Sequence, residues 1–310
     1  MVAIIQPNCL LFSDRFRNME RKEFIKSALL TGALGALAPQ LLKAKSDTKE
    51  ESTFDSLMQQ VGFNHLPNHE DKKMNTVIYR ADTRGLANHG WLHSRHTFSF
   101  ANYHNPERMH FGVLRVLNDD QVQGGRGFGT HPHDNMEIIS IPIEGDLEHK
   151  DSMGNVTVIK EGDVQIMSAG TGITHSEYNK NNEKSVHFLQ IWIFPNKKNV
   201  RPRYDQISIR DIEKENTFYQ VLSPNKDDQG VWIHQDAWFH LGRFTKGKSD
   251  TYQIKKQGNG VYAFVLDGGI ELNGELLSKR DGMGIWAADS IEVKATQNAR
   301  VLLMEVPMTL

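Results

Sequence analysis

From Met74 onward the chain is written in short apolar or alternating runs that end at Gly, Asn or Asp. Thr76 to Tyr79, Val113 to Leu117, Glu137 to Ile141, Val156 to Ile159 and Val186 to Ile193 are such runs. Glu144-Gly145-Asp146 and Ser152-Met153-Gly154-Asn155 are turns between them. Runs this short, bounded by turn formers, read as strands, and no long stretch keeps the 3.6-residue apolar period of a helix. The expected fold class is therefore all-β, a sandwich or barrel.

The pattern also echoes itself. Phe264 to Leu272 (FVLDGGIEL) parallels Ile141 to His149 (IPIEGDLEH): an apolar run, an acidic-Gly turn, then alternation. Each reaches a second Gly turn, at Glu161-Gly162-Asp163 and at Asp281-Gly282-Met283. The 310 residues are enough for two ordinary domains, so two similar β-domains in tandem are expected, over 74–203 and 204–310.

Ahead of them the sequence changes character. Residues 1–44 read as a signal-like segment: the charged run Met19 to Lys26 precedes an uncharged stretch, Ser27 to Leu42, rich in Ala, Leu and Gly. That stretch is short for a spanning helix, which needs about 20 residues, but has the make-up of an export signal. RKEFIK is similar to a twin-arginine signal with Lys22 at the second arginine. Export to the periplasm is expected, with a cytoplasmic protein as the alternative and no stable membrane span. Residues before Met19 read as an upstream extension, and polar 45–73 as a linker.

Composition removes several functions. With 36 basic and 38 acidic residues the net charge is -2, and no basic block tracks phosphates, so nucleic acid is not an expected partner. Cys9 is the single cysteine, which excludes an intrachain disulfide and a thiolate metal cage. A metal here must be held by nitrogen and oxygen.

Two stretches supply such donors. In GTHPHDNME, His131 and His133 stand one residue apart around Pro132; in GTGITHSE, His175 and Glu177 repeat the spacing. Strand side chains at i and i+2 share a face, so two such strands facing one interior bring together three imidazoles and a carboxylate. That set suits one divalent transition metal with open positions: iron(II) first, with copper, nickel, manganese or zinc as alternatives. Pro132 has no N–H and is expected on an edge strand. Counting back from the shared turn puts Ile254 and Lys256 where the first domain has its histidine pair, so the second domain should hold no such metal. Glu137 is an open case, as a ligand, an orienting group or neither. Phe128, Met167, Phe188 and Trp192 are guesses for an apolar pocket. His234, Asp236 and His240, like His93 and His96, read as ordinary strand polar residues.

GTHPHDNMEI, EGDLEHKDSMGN, EGDVQIMSAGTGITHSEYN and QIWIFPN, with ANHGWLHSRHTFSFANY upstream, resemble the pirin family of the cupin superfamily, in its bacterial quercetin 2,3-dioxygenase-like branch. The resemblance runs from about Tyr79 to the C-terminus. It implies a bicupin of two jelly-roll β-barrels, with metal only in the first, on His131, His133, His175 and Glu177. In the general cupin pattern the glutamate of the first motif is a ligand; pirins take the fourth ligand from the second motif, which leaves Glu137 out. The implied activity is O₂-dependent cleavage of a flavonol such as quercetin, or of a related phenolic; separately, a monomer is expected. Glu177 is then the expected base for the substrate hydroxyl. The alternative is a metal-binding regulatory module without turnover.

Overall fold

The structure, a computed structural model, describes residues 74–310. The signal-like segment, the linker and Cys9 lie outside the described residues. The first strands are β1 (Asn75–Tyr79), β2 (Gly85–Asn88), β3 (Leu92–His96), β4 (Leu114–Val122), β5 (Gly127–His133), β6 (Glu137–Glu144) and β7 (Leu147–Asp151). Then come β8 (Val156–Ile159), β9 (Asp163–Ser168), β10 (Ile173–Asn179), β11 (Val186–Ile193), β12 (Arg203–Ser208), β13 (Phe218–Ser223), β14 (Val231–Trp232) and β15 (Trp238–Phe244). The last are β16 (Ser249–Gln253), β17 (Asn259–Asp267), β18 (Gly269–Leu272), β19 (Glu275–Ser278), β20 (Gly282–Trp286), β21 (Ser290–Ala295) and β22 (Ala299–Pro307). The single helical element among the described residues is a 3₁₀ turn, Ala81–Thr83, and no helix there is long and apolar enough to cross a membrane.

The strands form two barrels of the same build. The first combines a seven-stranded sheet, β12-β9-β6-β11-β4-β3-β2, with a four-stranded one, β5-β10-β7-β8. The second combines β1-β20-β17-β22-β15-β13-β14 with β16-β21-β18-β19. The all-β, two-barrel reading holds. Its echo is also physical: β6 turns into β7 through Gly145 at φ 77°, and β17 into β18 through Gly268 at φ 74°. A Cβ on Gly268 would stand 1.9 Å from the carbonyl oxygen of Asn298, so that turn admits only glycine.

Many strands are apolar runs, not clean alternations, because the two large sheets are covered on both faces. On β11, Leu189, Ile191 and Ile193 enter one shared core with Tyr262, Phe264 and Leu266 of β17. The intervening residues of each strand face their own barrel, Phe188 and Trp192 in the first and Val261, Ala263 and Val265 in the second. The seam between the barrels is thus itself hydrophobic core. Strands cross it at both ends of the range 74–203: β1 pairs with β20 of the second barrel, and β12, which begins at Arg203, pairs with β9 of the first.

Candidate metal centre

The site grows from two neighbouring strands of the smaller sheet of the first barrel. β5 is an edge strand, as Pro132 requires, and it pairs with β10 so that His131 faces His175 and His133 faces Ile173. The ladder slips between His175 and Glu177, where β10 advances two residues and β5 three, to Phe128. Such a bulge re-aims side chains, and it sits beside the histidines.

The three rings meet. Centroids lie 4.9 Å apart for His131 and His133, 4.5 Å for His131 and His175, and 5.0 Å for His133 and His175. One nitrogen from each falls within 4.8 Å of the others. Nδ1 of His131 is 2.7 Å from the carbonyl oxygen of Gly129; as the donor there it leaves Nε2 for the cluster. Nε2 of His133 and both nitrogens of the buried His175 have no partner among the described residues. Burial first, and then the neighbouring imidazoles, hold His133 down to about 4 and His175 to about 2. Converging imidazoles, two of them kept neutral and without partners, are what a divalent transition metal needs, so the residues fit the expected group.

Glu177 stands apart from this trio and is not in the 4.8 Å group. Its carboxylate is buried and accepts from Ser140 Oγ at 2.9 Å and from Gln190 Nε2 at 2.7 Å. Burial pushes its pKa up, opposed by the Ser140 bond and by the charges of His149 and His131. The carboxylate therefore lies close enough to the trio to feel it, fixed by two side chains that the sequence reading did not single out.

His149 was also missed. It is fully buried opposite Glu177 on β7, its ring 5.4 Å from that of His175 and 4.7 Å from that of Tyr204. Its Nε2 is 3.0 Å from Asp151, which in turn accepts from the Met153 and Asn155 backbones and from the Asn155 amide. The signal was present as His149-Lys150-Asp151, a third i, i+2 pair on a strand beside His175 and Glu177.

The other candidates separate cleanly. Trp192 stands edge-on to His133 at 4.8 Å and to Phe100 at 5.4 Å, and Met167 packs in the same cluster as Trp192. Phe188 and Phe128 instead belong to a core cluster with Leu92, Val122 and Leu147. His93 is exposed; His96 is buried against Phe100 and Tyr103, where burial holds it near 4. Glu137 projects to the opposite face of β6 from the barrel interior. It accepts from Ser168 at 2.8 Å and stands 3.4 Å from the backbone N–H of His234, which belongs to the second barrel. It joins the barrels and does not attend the imidazoles. Asp236 is bound by Lys256 at the surface, and His240 is buried in the second barrel beside Tyr252. Ile254 and Lys256 follow the end of β16, and no metal-ligating trio forms among the described residues of that barrel.

Comparison with known proteins agrees with this division. A family described as pirin matches residues 79–193, and one described as quercetinase C-terminal cupin domain matches residues 220–306. The chain is 43% identical over 233 residues to the quercetin 2,3-dioxygenase of Escherichia coli K12, covering 74% of this chain and 99% of the relative. The crystal structure of YhhW from Escherichia coli superposes with a TM-score of 0.72 at 42% identity, over 76% of this chain and all of that one. A second structure, bacterial pirin YhhW in complex with nickel(II), gives 0.71 at 42% identity over 75% and 99%.

Proposed function

The chain belongs to the pirin family, and from that premise we propose that it is a metal-dependent dioxygenase whose substrate is a flavonol such as quercetin or a related phenolic. The observation that carries the reading is the convergence of one nitrogen each from His131, His133 and His175, those of His133 and His175 unpartnered, beside a buried carboxylate. Support for the substrate class comes from the relative named quercetin 2,3-dioxygenase.

His131, His133 and His175 would hold the metal, with Glu177, which stands outside the trio, as the fourth ligand. Iron(II) is the metal we assign, on the preference of imidazole-carboxylate sets for O₂ chemistry; the nickel complex of the relative keeps nickel as the alternative. A metal bound there supplies Lewis-acid polarisation of a substrate oxygen and an electronic route to O₂. The chain's own residues do the rest. Glu177, raised by burial and gripped by Ser140 and Gln190, takes the proton of the substrate hydroxyl and returns it to product. Trp192, backed by Phe100, offers an apolar wall beside His133 that orients an aromatic ring and excludes water.

The test is anaerobic reconstitution with iron(II) or nickel(II), elemental analysis, and O₂ uptake with quercetin on wild type and His133→Ala. One metal per chain with turnover lost in the variant is expected. Bound metal without turnover of any phenolic would favour the regulatory-module reading, and a chain that cannot be metallated would sink the site.

A further inference from the structure

The seam between the barrels holds two arginines that the proposed chemistry does not use. Arg84, just before β2, and Arg280, in the turn between β19 and β20, reach the same oxygen of Asp119 on β4. The contacts are 3.2 Å from Arg84 Nη2 and 3.5 Å from Arg280 Nε. The other Asp119 oxygen takes His187 Nε2 at 2.5 Å. Side-chain exposure is 3% for Arg84, 11% for Arg280 and 6% for Asp119, so water screens this group poorly.

Two guanidiniums thus share one carboxylate, an excess of one positive charge even with His187 neutral. Asp120, next to Asp119, falls on the other face of β4 with Phe188 and Ser94 opposite it, and two acids near Arg280 are committed elsewhere. Asp281 accepts from Arg80 at 2.9 Å and from the Ala81 and Ser278 backbones, and Asp267 pairs with Lys279 at 2.9 Å near the surface. Meanwhile Nε and Nη1 of Arg84, Nη1 of Arg280 and the hydroxyl of Tyr262 are buried with no hydrogen-bond partner among the described residues. Tyr262 belongs to this neighbourhood: its hydroxyl stands against Gly282, two residues beyond Arg280, and the Arg84 guanidinium lies 5.2 Å from the ring centre of Phe264, two residues along β17 from Tyr262.

Arg280 also sits at φ 67°, a left-handed conformation in which glycine or asparagine would be easier. The turn tolerates that strain while sending a guanidinium into the seam. Three of the unpartnered atoms can only donate, and the Tyr262 hydroxyl can donate as well as accept. A water molecule could accept from two of them, yet for its own two hydrogens this set offers one acceptor, the Tyr262 oxygen, and water would leave the charge excess in place. A species that only accepts, and carries one negative charge, matches both the donors and the charge excess.

We propose that the seam binds one small monovalent inorganic anion, of the chloride type, between Arg84, Arg280 and Tyr262. It ties Arg84 and Asp119 of the first barrel to Arg280 and Tyr262 of the second. The test is thermal unfolding of the metal-loaded full chain in potassium chloride and in potassium methanesulfonate at equal ionic strength, since methanesulfonate is too bulky for a closed seam. The expected result is a saturable rise in Tm of about 3 °C in chloride. Arg280→Met, which removes the charge excess but leaves Asp119 its Arg84 and His187 partners, should flatten that dependence. Wild-type crystals soaked in bromide should show an anomalous peak among the three side chains, a readout independent of any variant's folding. A seam without bromide, filled by ordered water or by nothing, overturns the proposal whatever the salt response.

Discussion

The two barrels share one architecture and differ in what fills them. The second holds sixteen buried apolar side chains in one cluster; the first has six and four in two clusters. On β11, Gln190 lies between Phe188 of one cluster and Trp192 of the other, on the same face, and on β6 Ser140 follows Ile138 in the same way. The corresponding strand of the second barrel, β22, carries Val301, Leu303 and then Glu305. Glu305 is wholly buried and accepts from the Tyr252 hydroxyl, the Asn259 amide and the backbone N–H groups of Lys255 and Lys256. Those backbone groups belong to the stretch where the first barrel has its histidine pair. A carboxylate with four donors closes the second barrel where imidazoles keep the first available to a metal, and that is why one fold serves chemistry in one copy and stability in the other.

The largest expected contrast is between His175→Ala and His240→Ala. Removing one of the four proposed ligands should weaken metal binding by about 100-fold or more, beyond the loss typical for supporting residues. His240→Ala, in the second barrel, should leave elemental analysis at one metal per chain. Equal metal loss in both variants would break the division of labour.

Next in size is Glu305→Ala. It strands four donors, the Tyr252 hydroxyl and the Asn259 amide buried and two backbone N–H groups partly so, for a cost of about 3–5 kcal/mol in denaturant unfolding, while metal content of the folded fraction stays unchanged. Loss of the metal from folded protein would mean that the barrels are coupled and that the second is more than a support.

Much of this was legible in the sequence because strand alternation is a strict rule. The Thr76 to Tyr79, Val156 to Ile159 and Val186 to Ile193 runs became β1, β8 and β11 within a residue, and the His-x-His spacing delivered two rings to one point. Pairing across strands is not local, and there the reading stopped. Nothing in the text of β1 says that it will pair with β20, or in Arg203 to Ser208 that it will pair with β9, because those ladders depend on which edge is free in the folded barrels. Ser140, Gln190 and His149 escaped for a related reason. Each looks like an isolated polar residue in its own strand, and only the barrel interior brings them to Glu177 and His175. Glu137 was left open between three roles, and the face of β6 on which it falls decided for none of the metal roles.

That glutamate provides the smallest effect and tests the seam between the barrels. Burial, opposed by the Ser168 bond and the Arg203 charge, raises Glu137 to about 7. The folded chain therefore keeps a proton between the unfolded carboxyl value, near 4.5, and about 7, while the unfolded chain releases it. Stability from this group is fully present below about pH 4.5 and is lost as pH rises through about 7, by on the order of 3 kcal/mol. Glu137→Gln carries a neutral amide at every pH and should remove that slope from unfolding free energies measured between pH 4.5 and 8, with the metal retained. An unchanged slope would mean that the carboxylate is ionised against Arg203 and that the seam is held by charge. Loss of the metal would instead return Glu137 to the ligand role it has in the general cupin pattern, and the two faces of β6 would no longer be separate in function.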